Sequence, residues 1–277
     1  LMDATPVTLG QEFGGYATQV RKGIERLPSV LPGLEELALG GTAVGTGLNA
    51  PEGFAAATIA LIAERTGYPF READDHFEAQ AAKDAVVMAS GALKTVAVSL
   101  FKIANDIRFL GSGPTSGIAE LRIPDLQPGS SIMPGKVNPV MSEMLMQVAA
   151  QVIGNDATIT WCGANGNFEL NVMMPVMAHA LLQSIEILAN AVDTFRRRCV
   201  EGLEANVERA RELVEKNATI VTALNPYIGY DAGARIAKEA VTSGRSVREL
   251  VLEQGLMTEE ELDAALDIKR MTQGGVR

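Results

Sequence analysis

The 277 residues carry a formal net charge of −10 and are 47 % hydrophobic and 21 % charged, an ordinary soluble composition long enough for one large core, or a large domain with a small satellite. The acidity argues against non-specific binding to nucleic acid or an anionic membrane, so positive charge for an anionic substrate has to be supplied locally. Cys162, Cys199, His76 and His179 are the only cysteines and histidines, too few for a disulfide framework or a zinc site, and they suit a reducing cytoplasm. No uncharged apolar run is long enough to span a bilayer, and no signal peptide is visible.

Aromatic residues make up only 5 %, while alanine, leucine, valine and methionine are abundant, as in helical cores. Residues 9–39 read as helix interrupted at Pro28 and Pro32. "GGTAVGTGLN" (Gly40 to Asn49) is not a G-x-G-x-x-G fingerprint and has no βαβ unit around it. It reads as a helix terminator followed by a turn, with the hydroxyls of Thr42 and Thr46 as supporting candidates for a site. Residues 52–65 form another helix, and His76, in the charged stretch "READDHFE", reads as solvated.

Between Asp75 and Leu110 the apolar positions Val86, Ala89, Leu93, Val96, Leu100, Ile103, Ile107 and Leu110 step by threes and fours. This predicts one helix roughly 50 Å long. A second long helix starts near Val140, and a third follows "ELNVMMP", with Pro175 in its first turn, where a missing N–H costs little. Met173, Met174 and Met177 read as core filler, and His179 as a core or interface histidine. Apart from a short strand pair within residues 118–123, period-2 alternation is absent. From about Val207 the helices become short and charged; "SVRE" (Ser246 to Glu249) and "TEEE" (Thr258 to Glu261) are capping-box patterns. The expectation is an all-α fold: a long-helix bundle over residues 1–206, completed by other subunits, and a small helical domain over 207–277.

Residues 111–139 break the helical pattern with three further glycines and three further prolines around "GSSIMPGKVNP". A loop of that length in a compact domain is usually functional or disordered. It is no P-loop: five residues separate Gly129 from Gly135, Val137 stands where Ser or Thr is needed, and no buried strand precedes it. Ser130, Ser131, Lys136, Asn138 and Glu143 are the candidates. Composition leaves open a purely structural alternative, in which serine and glycine make the loop flexible and Asn138 and Ser142 cap the next helix.

"GSSIMPGKVNPVMSE" resembles the signature of the fumarase/aspartase superfamily. Five other stretches agree in order: "LMDATPVTLGQEFGGYA", "LALGGTAVGTGLN", "FKIANDIRFLGSGP", "GNFELNV" and "TALNPYIGYD". "ANGNFELN" and "TALNPYIGYD" are most similar to class II fumarases; aspartate ammonia-lyase is the alternative, and a non-catalytic helical scaffold is a third reading. The resemblance implies reversible hydration of fumarate to L-malate, without cofactor or metal, by a homotetramer whose active sites are shared between subunits. It implies Ser130 as catalytic base and Glu143 as the carboxylate paired with a catalytic histidine across an interface. Ser131, Lys136, Val137 and Asn138 would bind substrate. That histidine belongs to a "TH" pair directly before "LxDA", and this chain begins at the leucine. The resemblance thus implies a C-terminal portion of a longer enzyme, inactive alone. Thr115 also stands where the family commonly has arginine, which removes an expected loop-anchoring ion pair.

Overall fold

The computed structural model describes residues 2–275. It is all-α, with four two-residue strands. Helix α1 (Leu9–Arg26) ends in a 3-10 turn at Leu27–Val30 and one helical turn at Leu31–Leu34, where Pro28 and Pro32 occupy first-turn positions. Strand β1 (Glu36–Leu37) and, beyond α2 (Phe54–Thr66), β2 (Arg71–Glu72) pair in parallel. Helices α3 (His76–Ala81) and α4 (Asp84–Leu110) follow, then β3 (Leu121–Arg122), α5 (Val140–Gly163), α6 (Met174–Arg198) and β4 (Glu204–Ala205). The remainder holds α7 (Val207–Lys216), a 3-10 segment Ala218–Leu224, α8 (Tyr230–Ser243), α9 (Val247–Glu253) and α10 (Glu259–Ala265).

Several expectations need correction. The helix expected from Asp75 to Leu110 is broken: Ala82 is extended (φ −74°, ψ 146°) between α3 and α4. Asp75 starts α3 by accepting from the N–H groups of Phe77 and Glu78, and Lys83 Nζ closes it by donating to the carbonyls of Ala79 and Gln80. All eight apolar positions lie in α4, whose 27 residues span about 40 Å. The strand at Leu121–Arg122 pairs antiparallel with Glu204–Ala205, not within 118–123. His76 is not solvated: its side chain is 19 % exposed, 3.4 Å from Glu72. His179 is exposed in this chain, which removes the core half of its reading and leaves the interface half; of the methionines read as core filler, Met174 is exposed whereas Met177 is buried.

The chain forms two compact units, one from Leu1–Tyr16, Leu110–Arg122 and Glu204–Arg277, the other from Ala17–Phe109 and Ile123–Leu203. In the second, α5 and α6 lie side by side. Ile159 and Cys162 of α5 meet Met177 and Ala180 of α6, with Val86 and Val87 of α4 packed against them. Consecutive residues of α5 point about 100° apart, so Asn155 and Asp156 serve different neighbours. Asn155 Nδ2 donates to Gln183 Oε1 (2.9 Å) and Ser184 Oγ (3.0 Å) on α6. Asp156 accepts from Ser90 Oγ (2.8 Å) and Lys94 Nζ (2.5 Å) on α4. By length and apolar content alone, α4 and Met174–Gly202 are long enough to cross a membrane; here their buried faces are used in helix packing. Large apolar side chains remain exposed on these helices, among them Met88, Val98, Trp161 and Leu182.

The first unit has its own core: Ile220, Val221 and Leu224 against Ile236 and Ala240 of α8, Leu250 and Val251 of α9, and Leu262 of α10. Its N-terminal segment is tied down, Ala4 O accepting from Asn217 Nδ2 (2.7 Å) and Thr219 Oγ1 (2.8 Å). Both expected capping boxes are present, at Ser246/Glu249 and Thr258/Glu261. The cap hydrogen bonds hold both glutamates below their usual range, backbone N–H donation leading. That contribution is present above the unfolded carboxylate range and is lost as pH falls through the lowered values. Ser246→Ala should cost about 1 kcal/mol in urea unfolding at pH 7, and an unchanged midpoint would contradict the cap's contribution.

Candidate active site

The loop Gly129–Pro139 is built on its own backbone. Gly129 N–H donates to Lys136 O (2.7 Å), and Asn138 Nδ2 donates to Gly129 O (3.2 Å). Both polar groups of Gly129 are therefore engaged, and the loop closes at its base. A Cβ at this position would lie 2.9 Å from Asn138 N, Asn138 Oδ1 and Lys136 O. Only glycine fits, because two of the three obstacles are backbone atoms.

Within the closed loop, Ser130 Oγ accepts from the N–H groups of Ile132 (3.3 Å) and Met133 (3.2 Å). This turn is common for serine and aims two peptide dipoles at one oxygen. Such donors stabilise negative charge on that oxygen more than they stabilise the neutral hydroxyl. Ser130 is half-buried; Ser131, Lys136 and Val137 are exposed. Among the described residues, the Lys136 ammonium has no ion-pair or hydrogen-bond partner. In a chain of net charge −10, an unpaired cation in the same loop as such a serine is a ready contact for an anion.

Asn138 is committed to the loop base and does not cap α5; the cap residue is Pro139, without a side-chain bond. Ser142 does not cap it either. It is fully buried against the Cys199 thiol, and its Oγ lacks a partner with full hydrogen-bond geometry. Burial pushes the Cys199 thiol up to about 11, with the Ser142 hydroxyl opposing. Glu143 lies half-buried in the first turn of α5, where the helix dipole favours a carboxylate. Ser130, Lys136 and Asn138 are thus brought together by the loop, with Glu143 one helical turn beyond.

Thr42 and Thr46 are not part of this arrangement. They are exposed on the Gly40–Asn49 loop, which follows β1 rather than ending a helix as expected. Thr42 has φ 54° and its carbonyl accepts from Gln80 Nε2 (2.9 Å), so that loop packs onto α3. Sequence reading passed over Asn206 and Arg209, whose side chains hold the carbonyls of residues 117–119. Their only signal is an Asn-x-x-Arg spacing at a helix start.

The sequence profile described as Lyase matches residues 1–154, more than half the chain. This chain belongs to the lyase family. A second profile, described as Fumarase C C-terminus, matches residues 220–273 of the same lyase-family chain. The chain is 57 % identical over 276 residues to the class II fumarate hydratase of Mycobacterium tuberculosis, covering 98 % of this chain and 58 % of that protein. It is similar to two solved structures. One is a class II fumarase from Schistosoma mansoni (TM-score 0.91, 37 % identity, 98 % of this chain and 60 % of that one). The other is a fumarate lyase:delta crystallin from Brucella melitensis bound to cobalt (TM-score 0.93, 44 % identity, 98 % and 58 %). The lyase-family chain therefore spans a little under three-fifths of the length of the M. tuberculosis relative.

Proposed function

We propose that a protein containing this chain catalyses the reversible hydration of fumarate to L-malate. The observation that carries this reading is Ser130 Oγ beneath two backbone N–H donors, with an unpaired Lys136 ammonium in the same loop. A serine oxygen is a poor base unless its anion is stabilised, and this loop supplies the stabilisation. In the dehydration direction, Ser130 as alkoxide takes the proton from malate C3. The electron pair moves into the neighbouring carboxylate, giving an aci-carboxylate. That species then expels the C2 hydroxyl, which leaves as water after protonation by a general acid. Lys136, with Ser131 and the backbone of Val137, would stabilise the extra charge of the aci-carboxylate. Asn138 would contribute through the loop base and its remaining polar atoms. Glu143 would pair with a histidine of another subunit, and Thr42 and Thr46 would be at most supporting.

The apolar side chains left exposed on α4, α5 and α6 support assembly with further chain, for which a homotetramer with shared sites is the proposed form. Cys162 and Cys199 are both free and buried, in keeping with a cytoplasmic location. The small-domain division near Asn206 remains part of this proposal. The test is to assay a protein containing this chain with fumarate, malate and aspartate in parallel. Interconversion of malate and fumarate is expected; fumarate formed from aspartate but not from malate would make it an ammonia-lyase instead. Gly129→Ala supplies a second check. It should lower turnover by tenfold or more, because the added methyl must displace the Lys136 and Asn138 backbone that closes the loop, while the cores of both units, which Gly129 does not join, stay folded. Full activity would contradict the need for that closed loop.

A further inference from the structure

The long loop has a first leg, residues 117–122, that leads into Gly129–Pro139 through "IPDLQP". Four consecutive carbonyl oxygens of that leg are held by two residues of one helix start. Arg209 Nη2 donates to Gly117 O (3.3 Å) and Arg209 Nε to Ile118 O (3.1 Å). Asn206 Nδ2 donates to Ala119 O (2.9 Å), and its backbone N–H donates to Glu120 O (2.8 Å). The β3–β4 pairing continues the seam through Leu121 and Arg122.

The leg is not in a relaxed conformation. Ala119 has φ 55°, a region that costs a non-glycine residue about 1 kcal/mol or more. A Cβ on Gly117 would lie 2.3 Å from the carbonyl of Ser112. The guanidinium fork suits such a surface because it can serve two acceptors in one plane and still pair with Glu212 Oε2 (2.8 Å). Arg209 is only 26 % exposed, so these bonds are partly shielded from water. Glu120 lies in its field: burial raises the Glu120 carboxyl and Arg209 opposes that rise. Thr115, at the start of the loop, carries no charge, and among the described residues Arg209 is the cation whose side chain donates to the carbonyls of this leg.

We propose that Asn206 and Arg209 form a clamp that orders the active-site loop, with Arg209 a positioning residue acting through residues 117–122. The proposal rests on the reading of Gly129–Pro139 as the catalytic loop. Six residues, Ile123 to Pro128, join leg to loop, and two of them are prolines. Such a short, stiff leash passes order from its fixed end to its free end.

Hydrogen–deuterium exchange on the 277-residue chain tests this directly. In Arg209→Ala, amides in 111–122 should exchange about tenfold faster and those in 129–139 severalfold faster, with α8 to α10 unchanged. Arg209→Lys should fall between, since an ammonium cannot reproduce the planar fork, and it serves if the alanine variant does not fold. Glu212→Gln removes the ion pair and leaves the carbonyl bonds, and should behave as wild type. Uniform acceleration across the chain, an unchanged 129–139 segment, or equal loosening by Glu212→Gln would each overturn the clamp. In a protein containing the chain, Arg209→Lys should raise KM about tenfold with an unchanged pH profile; a shifted profile with unchanged KM would count against positioning. The exchange measurement is independent of the chemistry. If Ser130→Ala inactivates while exchange in Arg209→Ala is unchanged, only the clamp fails. If exchange responds but Ser130→Ala stays active, the reading of Gly129–Pro139 as the catalytic loop fails instead.

Discussion

Ser130→Ala in a protein containing this chain should lower kcat for fumarate hydration about a thousandfold, within the range that a positioned general base contributes. KM should change little if Lys136, rather than the serine, meets the substrate carboxylate. The fold should hardly notice. Ser130 bonds only to N–H groups of its own exposed loop, and water can replace it there, so stability should stay within about 0.5 kcal/mol. Steady-state kinetics beside a thermal melt separates the two readouts. A variant with wild-type kcat would remove Ser130 from the mechanism, and a collapsed melting temperature would reassign it to structure.

Lys94→Met is the substitution with the largest expected effect on stability, about 3 kcal/mol by guanidinium unfolding. It leaves the Asp156 carboxylate, 7 % exposed in its side chain, with only Ser90 as partner. Asp156→Asn should cost less, about 1–2 kcal/mol. The amide keeps its shape and can still bond to Ser90, while Lys94, 42 % exposed, can turn its ammonium to water. The pair's own attraction is screened on the lysine side and is discounted accordingly. The asymmetry comes from desolvation: a charge stranded inside costs more than one released to solvent. Equal losses, or the reverse order, would show that the carboxylate is less isolated than its burial indicates.

The long helices were legible because their signal is local. Apolar residues at threes and fours in α4, the proline at the start of α6, and the Ser246 and Thr258 boxes each act within a few residues of themselves. The break at Ala82 was not legible. Alanine and lysine are good helix formers, and the interruption is made by a Lys83 side chain reaching back to carbonyls. Two-residue strands are too short to show alternation, so nothing in Leu121–Arg122 announces Glu204–Ala205 as its partner. His76 misled for a related reason: its neighbours in sequence are charged, but its side chain sits against Glu72 and the Gly40–Asn49 loop.

The sequence by itself determined the helical class, the positions of the long helices, and the one loop whose glycines, serines and lysine can carry chemistry. It could do so because periodicity, capping and turn chemistry depend on near neighbours along the chain. Only the tertiary structure decided that Ser130 Oγ receives two N–H groups, that Asp156 meets Lys94, and that Arg209 grips Gly117 and Ile118. In the first and last of these, one partner is a backbone group that every residue carries, so no residue type marks it. In the second, 62 positions separate the two charges, and packing alone brings them together.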